Sequence, residues 1–192
     1  MALTLKHAEG YLHTYRDYIR MPDDGNRWEI INGVLHMMAA PGEKHQRAVS
    51  NIHGELHAFL KGKRCRVYTA PFDVRLPVYG EIGENVTNVV QPDVLVYCDD
   101  SKTDERGGRA APDLVVEVIS PSSAKMDRIL KYRLYERAGV KEYWLVDSVG
   151  EFAEVYVNDG NRFLPKYKCV PGDVISSNVI EGFELPIADI FL

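Results

Sequence analysis

LVVEVI, residues 114–119, is an almost unbroken run of leucine, valine and isoleucine, and it predicts a central β-strand covered on both faces. Glu117 breaks the run, and a lone carboxylate is costly to take out of water. Two readings are open: a lysine or arginine neutralises it, or it belongs to a site. Downstream, Ser120-Pro121-Ser122-Ser123 supplies turn and cap residues for a helix over 124–138 that Gly139 stops. Glu142–Val146, Ala153–Val157 and Arg162–Tyr167 then read as strands, with the turn Asn158-Asp159-Gly160-Asn161 between the last two.

Upstream, Asp93 opens a second apolar run, VLVY, directly after Pro92, inside a predicted strand Asn88–Tyr97. Arg66–Thr69 and Phe72–Pro77 are further strands, and the polar stretch Asp99–Ala111, with Gly107-Gly108, reads as a flexible connection. Asn32-Gly33 between Trp28–Ile31 and Val34–Met38 is a hairpin signal, because both turn residues tolerate positive φ. A helix over 43–61 buries Val49, Ile52, Leu56 and Phe59–Leu60. Thr4 can cap another over 5–19, with Leu5, Ala8, Leu12, Tyr15 and Ile19 as its stripe. The tail, Val174–Leu192, alternates and should cover an edge of the core. The whole, residues 1–192, is one α/β domain without repeats or linkers.

Acids on two adjacent central strands can converge at one end of a sheet. Mg²⁺ asks for one or two carboxylates and leaves its other positions to water and phosphate oxygens. That equipment activates water and neutralises charge in phosphodiester hydrolysis. Asp93 and Glu117 are the pair; Asp93 could also simply cap its strand. Asp113 has the same face parity as Glu117 but lies ~13 Å away along the strand, too far to share an ion.

Composition sets the frame. Hydrophobic residues make up 45% and charged residues 27% of the 192, as in a folded soluble domain. With 23 basic and 28 acidic groups the net charge is −5, which argues against a non-specific nucleic-acid coat. A local basic patch remains open to it, from Lys61, Lys63, Arg64 and Arg66 with Arg106, Arg109, Arg128 and Arg133. Cys65, Cys98 and Cys169 are odd in number and form no CxxC, so neither a zinc site nor a disulfide framework is expected. No run approaches the ~18–20 apolar residues of a membrane span, and a reducing, cytoplasmic setting is expected. His53 and His57 lie at i and i+4 but HGELH is not HExxH and no third ligand is evident. The serines at 120, 122 and 123 lack a G-x-S-x-G context.

VVQPDVLVY, APDLVVEVISPSS and DRILKYRLYERAGVKEYWLVD, together with WEIINGVL and the helix beginning near His45, resemble the Uma2 (DUF820) family. That family is assigned to the PD-(D/E)XK, restriction-endonuclease-like superfamily, and the likeness covers roughly residues 5–160. It implies an α/β (α+β) core, a central mixed β-sheet flanked by helices, and a metal-dependent DNA endonuclease that uses Mg²⁺ or Mn²⁺ and activated water. Asp93 matches the Asp of the PD element, and Glu117 the acidic member of (D/E)XK. Ile119 stands where the lysine would be. Related sequences supply that lysine from the following helix, so Lys131 is the candidate and Lys125 the second choice. Asp127, Lys131 and Tyr135 form a polar stripe there, although Asp127 with Lys131 is also an ordinary i,i+4 pair. Glu29 could add a metal ligand, orient the lysine, or face solvent at a sheet edge. His45 could contact a phosphate or be a surface histidine. The expected partner is DNA, with a twofold homodimer the simplest way to cut both strands. The rival reading, favoured by Ile119 and the net charge, is a catalytically inactive nucleic-acid-binding or protein-interaction domain. Two geometric expectations follow: the Asp93 and Glu117 carboxylates within ~6 Å, and the Lys131 ammonium within ~4–6 Å of Glu117.

Overall fold

The computed structural model describes residues 10–120 and 123–192. In chain order its elements are α1 (Tyr15–Tyr18), β1 (Trp28–Ile31), β2 (Val34–Met37), α2 (Glu43–Leu60), β3 (Arg66–Thr69), β4 (Val74–Arg75), β5 (Val89–Val90), β6 (Val94–Tyr97), β7 (Thr103–Asp104), β8 (Gly107–Gly108) and β9 (Leu114–Ile119). A π-helical stretch, Met126–Lys131, runs straight into α3 (Tyr132–Ala138). Then come β10 (Glu142–Asp147), β11 (Phe152–Asn158), β12 (Phe163–Cys169), β13 (Val174–Ser176), β14 (Glu184–Pro186) and α4 (Ile187–Phe191).

LVVEVI is β9, and all six of its residues are buried. It lies inside the sheet β12-β11-β10-β9-β6-β3, parallel to β10 and antiparallel to β6. Parallel neighbours need a crossover, and the helix between β9 and β10 provides it. Alternation along β9 then sorts its side chains. Val116 and Val118 pack toward Ile52 and Leu56 of α2, whereas Val115 and Ile119 pack with Leu134 and Tyr135 of α3. Glu117 shares the parity of Val115 and Ile119, so it is aimed at α3. The tail covers the α2-side face rather than an edge: Ile175, Phe183, Leu185, Ile187 and Ile190 join Trp144 and α2 in one core.

The predicted strand Asn88–Tyr97 is split. Pro92 has no N–H for a ladder, and the chain changes sheet across Gln91-Pro92-Asp93. Val89–Val90 joins the second sheet, β2-β1-β5-β4-β8-β7, while Val94–Tyr97 joins the first. Asp93 is therefore held at the join between the sheets. The hairpin turn is as expected, with φ of 51° at Asn32 and 76° at Gly33.

Three expectations need correction. The helix over 5–19 is reduced, among the described residues, to Tyr15–Tyr18, because Gly10 has φ of 96° and His13 N–H bonds to Gly33 O (2.8 Å), which holds that segment extended. Asp17 Oδ2 accepts from Thr14 N–H (2.8 Å) and starts the helix there. Leu12 and Ile19 are exposed; Thr4, Leu5 and Ala8, like Pro121 and Ser122, lie outside the described residues. Second, Cys65 and Cys98 are joined by a disulfide. Pairing of β3 with β6 matches Arg66 to Tyr97, and the next pair outward is these two cysteines, a neighbourhood hidden by 33 residues of sequence. Cys169 is free and buried.

Third, Gly107-Gly108 is no loose connection but a short strand between β4 and β7. A Cβ at Gly108 would come within 2.1 Å of the Tyr97 hydroxyl, which donates to Ala110 O (2.7 Å). Gly108→Ala should therefore displace that hydroxyl and destabilise the protein by about 1–3 kcal/mol. Urea unfolding reads this directly, and an unchanged midpoint would mean that the two short strands can shift apart freely.

Candidate active site

An open cavity of about 280 Å³ lies where the two sheets, the start of α2 and the π-helical stretch meet. Its lining includes Glu29, Asp93, Glu117, Asp127 and Lys131. They come from β1, the residue before β6, β9 and the π-helical stretch, so no single local pattern announces the whole cluster.

Continuing the β6–β9 register by one residue from Val94↔Val116 sets Asp93 opposite Glu117. Asp93 Oδ2 accepts from Val118 N–H (2.8 Å), which ties the carboxylate to β9. His45 Nε2, three residues into α2, lies 3.2 Å from the same oxygen. Its side chain is 14% exposed, so His45 is not a surface histidine. Burial opposes protonation of His45, but hydrogen bonding to Asp93 and the charges of Asp93 and Asp127 prevail and hold its pKa above the usual value.

Lys131 is buried and surrounded by acids. Its Nζ lies 2.9 Å from Glu29 Oε1, 3.1 Å from Glu117 Oε1 and 3.8 Å from Asp127 Oδ1. The ammonium thus lies closer to Glu117 than the ~4–6 Å expected from the sequence, and Glu29 is buried beside it rather than facing solvent. Glu29 is itself fixed by Gln91 N–H, which donates to Oε1 (2.8 Å). The π winding, in which Tyr132 N–H reaches back to Asp127 O, keeps Asp127 and Lys131 on the cavity side. Tyr135, one turn on in α3, donates to Glu117 Oε1 (2.6 Å). Lys125 is exposed.

The electrostatics are unbalanced. Burial drives the Glu117 carboxyl well above its usual range; Lys131 opposes this, while Asp127, Asp93 and Glu29 add to it. Burial raises Asp127 too. Burial pulls the Lys131 pKa down, but Glu117, Glu29 and Asp127 more than reverse this and hold it well above the usual lysine value. Three buried carboxylates facing one ammonium leave surplus negative charge, and Asp93 adds to it.

That surplus suits a hard divalent cation, which prefers carboxylate oxygens. Among the described residues the polar contacts to Glu117 fall on Oε1 and those to Asp93 on Oδ2, so each carboxylate has an oxygen left for a ligand. Among the described residues no three acidic, histidine or cysteine side chains by themselves enclose an ion. A Mg²⁺-type site needs only one or two carboxylates, with water and substrate completing it. His53 and His57 lie with ring centroids 5.7 Å apart and planes tilted by 30°, and among the described residues they gain no third ligand. Asp113 is spent on Lys141 (2.7 Å), Lys102 and Cys98 N–H.

Sequence reading missed four lining or supporting residues: Tyr135 as a partner of Glu117, His36, Arg27 and Gln91. The basic residues named from the sequence do not gather at the cavity. Lys61 to Arg66 follow the C-terminal end of α2, whereas His45 is near its start, so roughly 24 Å of helix separates them from the cavity at 1.5 Å per residue. Arg128 is paired with Glu154 (2.8 Å) and Arg106 with Glu84 (3.5 Å).

Comparison with known proteins places this geometry in context. A family model described as "Uma2: Putative restriction endonuclease" matches residues 15–188. Two uncharacterized proteins of Synechocystis are similar in sequence: slr1290, 27% identical over 73% of this chain and 72% of its own, and sll1609, 26% identical over 78% and 82%. The fold is similar to the crystal structure of "a putative nuclease belonging to DUF820" from Anabaena variabilis, with a TM-score of 0.73, 18% identity, and coverage of 93% of this chain and 97% of that one. No helix among the described residues is long and apolar enough to cross a membrane.

Proposed function

The chain belongs to the Uma2 family, and from that premise we propose that it is a Mg²⁺- or Mn²⁺-dependent endonuclease that hydrolyses DNA phosphodiester bonds with activated water. The observation that carries this reading is the charge surplus: Glu29, Glu117 and Asp127 buried around the single ammonium of Lys131, with Asp93 beside them in an open cavity.

Asp93 and Glu117 would hold the ion, which when bound would neutralise phosphate charge and lower the pKa of a water. The chain's own residues prepare for that. Val118 N–H and His45 fix Asp93, and Tyr135 fixes Glu117. Glu29, anchored by Gln91, and Glu117 aim the Lys131 ammonium, a positive group where charge develops on a scissile phosphate. Lys131 thus supplies from the helix what Ile119 cannot supply from the strand, which weighs against the inactive-domain reading.

A plasmid-nicking assay with Mg²⁺ and Mn²⁺ tests the proposal: supercoiled DNA should be relaxed with metal and left intact with EDTA. Binding of the ion should also depend on pH in one direction. Glu117 and Asp127 have raised pKa values, so protons compete for them more effectively than for ordinary carboxylates. Mn²⁺ affinity, measured calorimetrically, should fall as pH is lowered from about 8 to 5, and Glu117→Gln should abolish it. Flat affinity over that range, or binding that survives the substitution, would remove Glu117 from the metal site.

A further inference from the structure

Resting on the nuclease reading, we infer that the substrate class is DNA with unpaired nucleotides, received base-first against an apolar rim formed by Met37, Met38 and Ala39–Pro41, and cut without regard to base identity. Two observations carry this.

The first is the charge at the cavity. Affinity for duplex DNA normally comes from many phosphate contacts by lysine and arginine. Among the described residues the lining offers Arg27 and Lys131 as fixed cations against four carboxylates. Lys131 is enclosed by three of those acids, and Arg27 donates through Nε and Nη2 to Gln91 Oε1 (2.8 and 2.6 Å). A divalent ion together with Arg27 and Lys131 would offset the four carboxylates, so apart from His45 the cavity keeps little positive charge for flanking phosphates. The basic residues at the far end of α2 lie too distant to help the same nucleotide.

The second is shape. The reacting groups lie low: Glu117 and Lys131 are each 3% exposed. On one side of them, apart from the polar wall of Arg27, His36 and Gln46, the lining is an apolar, solvent-facing stretch, with Met37 63% exposed and Ala39, Ala40 and Pro41 also exposed. A phosphate held in a stacked duplex cannot descend past such a rim without local opening, whereas an unpaired nucleotide can. Methionine and proline are side chains that wedge between or against bases. Methionine is also flexible and polarizable, so it accepts any base face rather than reading hydrogen-bonding edges. Loss of pairing, not sequence, is what this rim would select.

The test uses the full chain with Mn²⁺ and three labelled substrates of one sequence: a single strand, a fully paired duplex, and a duplex with an unpaired bubble. The single strand and the bubble should be cut at least tenfold faster than the duplex, at scattered positions, with weak dependence on salt. Met37→Ser/Met38→Ser should lower kcat/KM on the single strand at least fivefold while circular dichroism shows an unchanged fold; Met37 is exposed, so the core does not depend on it. Equal or faster cutting of the paired duplex, or steep salt dependence, overturns this inference and leaves the nuclease reading standing. Failure to cut any of the three overturns both.

Discussion

Asp93→Ala should abolish metal-dependent nicking, with a fall of at least about 100-fold, because it takes away one of the two carboxylates proposed to hold the ion and each tenfold corresponds to only ~1.4 kcal/mol of barrier. The substitution does more than remove a ligand. Val118 N–H and His45 Nε2 both point at Asp93 Oδ2, so alanine leaves a strand amide and an imidazole without their acceptor. Asp93→Asn separates the two effects. Its carbonyl oxygen can still accept from Val118 N–H, so the strand end is kept, while the charge that attracts the ion is gone. Nicking by Asp93→Asn should be nearly as low as by Asp93→Ala, with stability closer to the wild type. Full activity in either variant would mean that Asp93 serves only to tie the strand end to β9.

What the sequence made legible follows from where the physics is local. A β-strand buried on both faces writes itself as LVVEVI, and the intruding Glu117 is visible in the same letters. The Asn-Gly turn sets a two-residue hairpin whose register, Glu29 opposite His36, is observed; counting outward from the turn could have found His36 as a neighbour of the site. Asp127, Lys131 and Tyr135 were readable as one face of a helix, although the π winding of Met126–Lys131 was not. By contrast, Cys65 meets Cys98 only because β3 pairs with β6, and Gln91 meets Glu29 only because β5 pairs with β1. These contacts are set by sheet topology, which one sequence does not spell out. The place of the basic residues was open for a related reason: charge counts carry no direction, and the length of α2 sets Lys61 and Lys63 at the end far from the cavity.

The pattern of surplus charge also explains why the lysine can leave the strand. On β9, a lysine at position 119 would share the parity of Glu117 and compete for space with Leu134 and Tyr135, where Ile119 now packs. Moving the ammonium to the helix lets an apolar residue close the core beneath the site. The cost is dependence on a single buried side chain that must satisfy several acids at once.

Lys131→Met exposes that dependence in two readouts. Nicking should drop at least tenfold, since no other ammonium reaches Glu117 among the described residues. Stability should change with a sign that a surface i,i+4 pair would not give. Removing the ammonium leaves Glu29, Glu117 and Asp127 buried and mutually repelling, and breaking such a network by deleting one partner costs about 3–5 kcal/mol. The Glu117 and Asp127 carboxyls, already raised by burial, then lose the cation that opposes the rise and lie further above their unfolded values. A raised acid contributes stability that is fully present below the unfolded value, 4.5 for Glu117, and is lost as pH rises through the folded value. The variant should therefore unfold close to the wild type near pH 4–5 and fall progressively behind it toward about pH 8. Glu29→Gln combined with Lys131→Met should recover part of that loss, because one of the uncompensated charges is gone, yet should not recover nicking. A Lys131→Met protein that keeps wild-type stability at every pH would contradict the buried network. Undiminished nicking would reassign the cationic role, with the exposed Lys125 the first residue to test in its place.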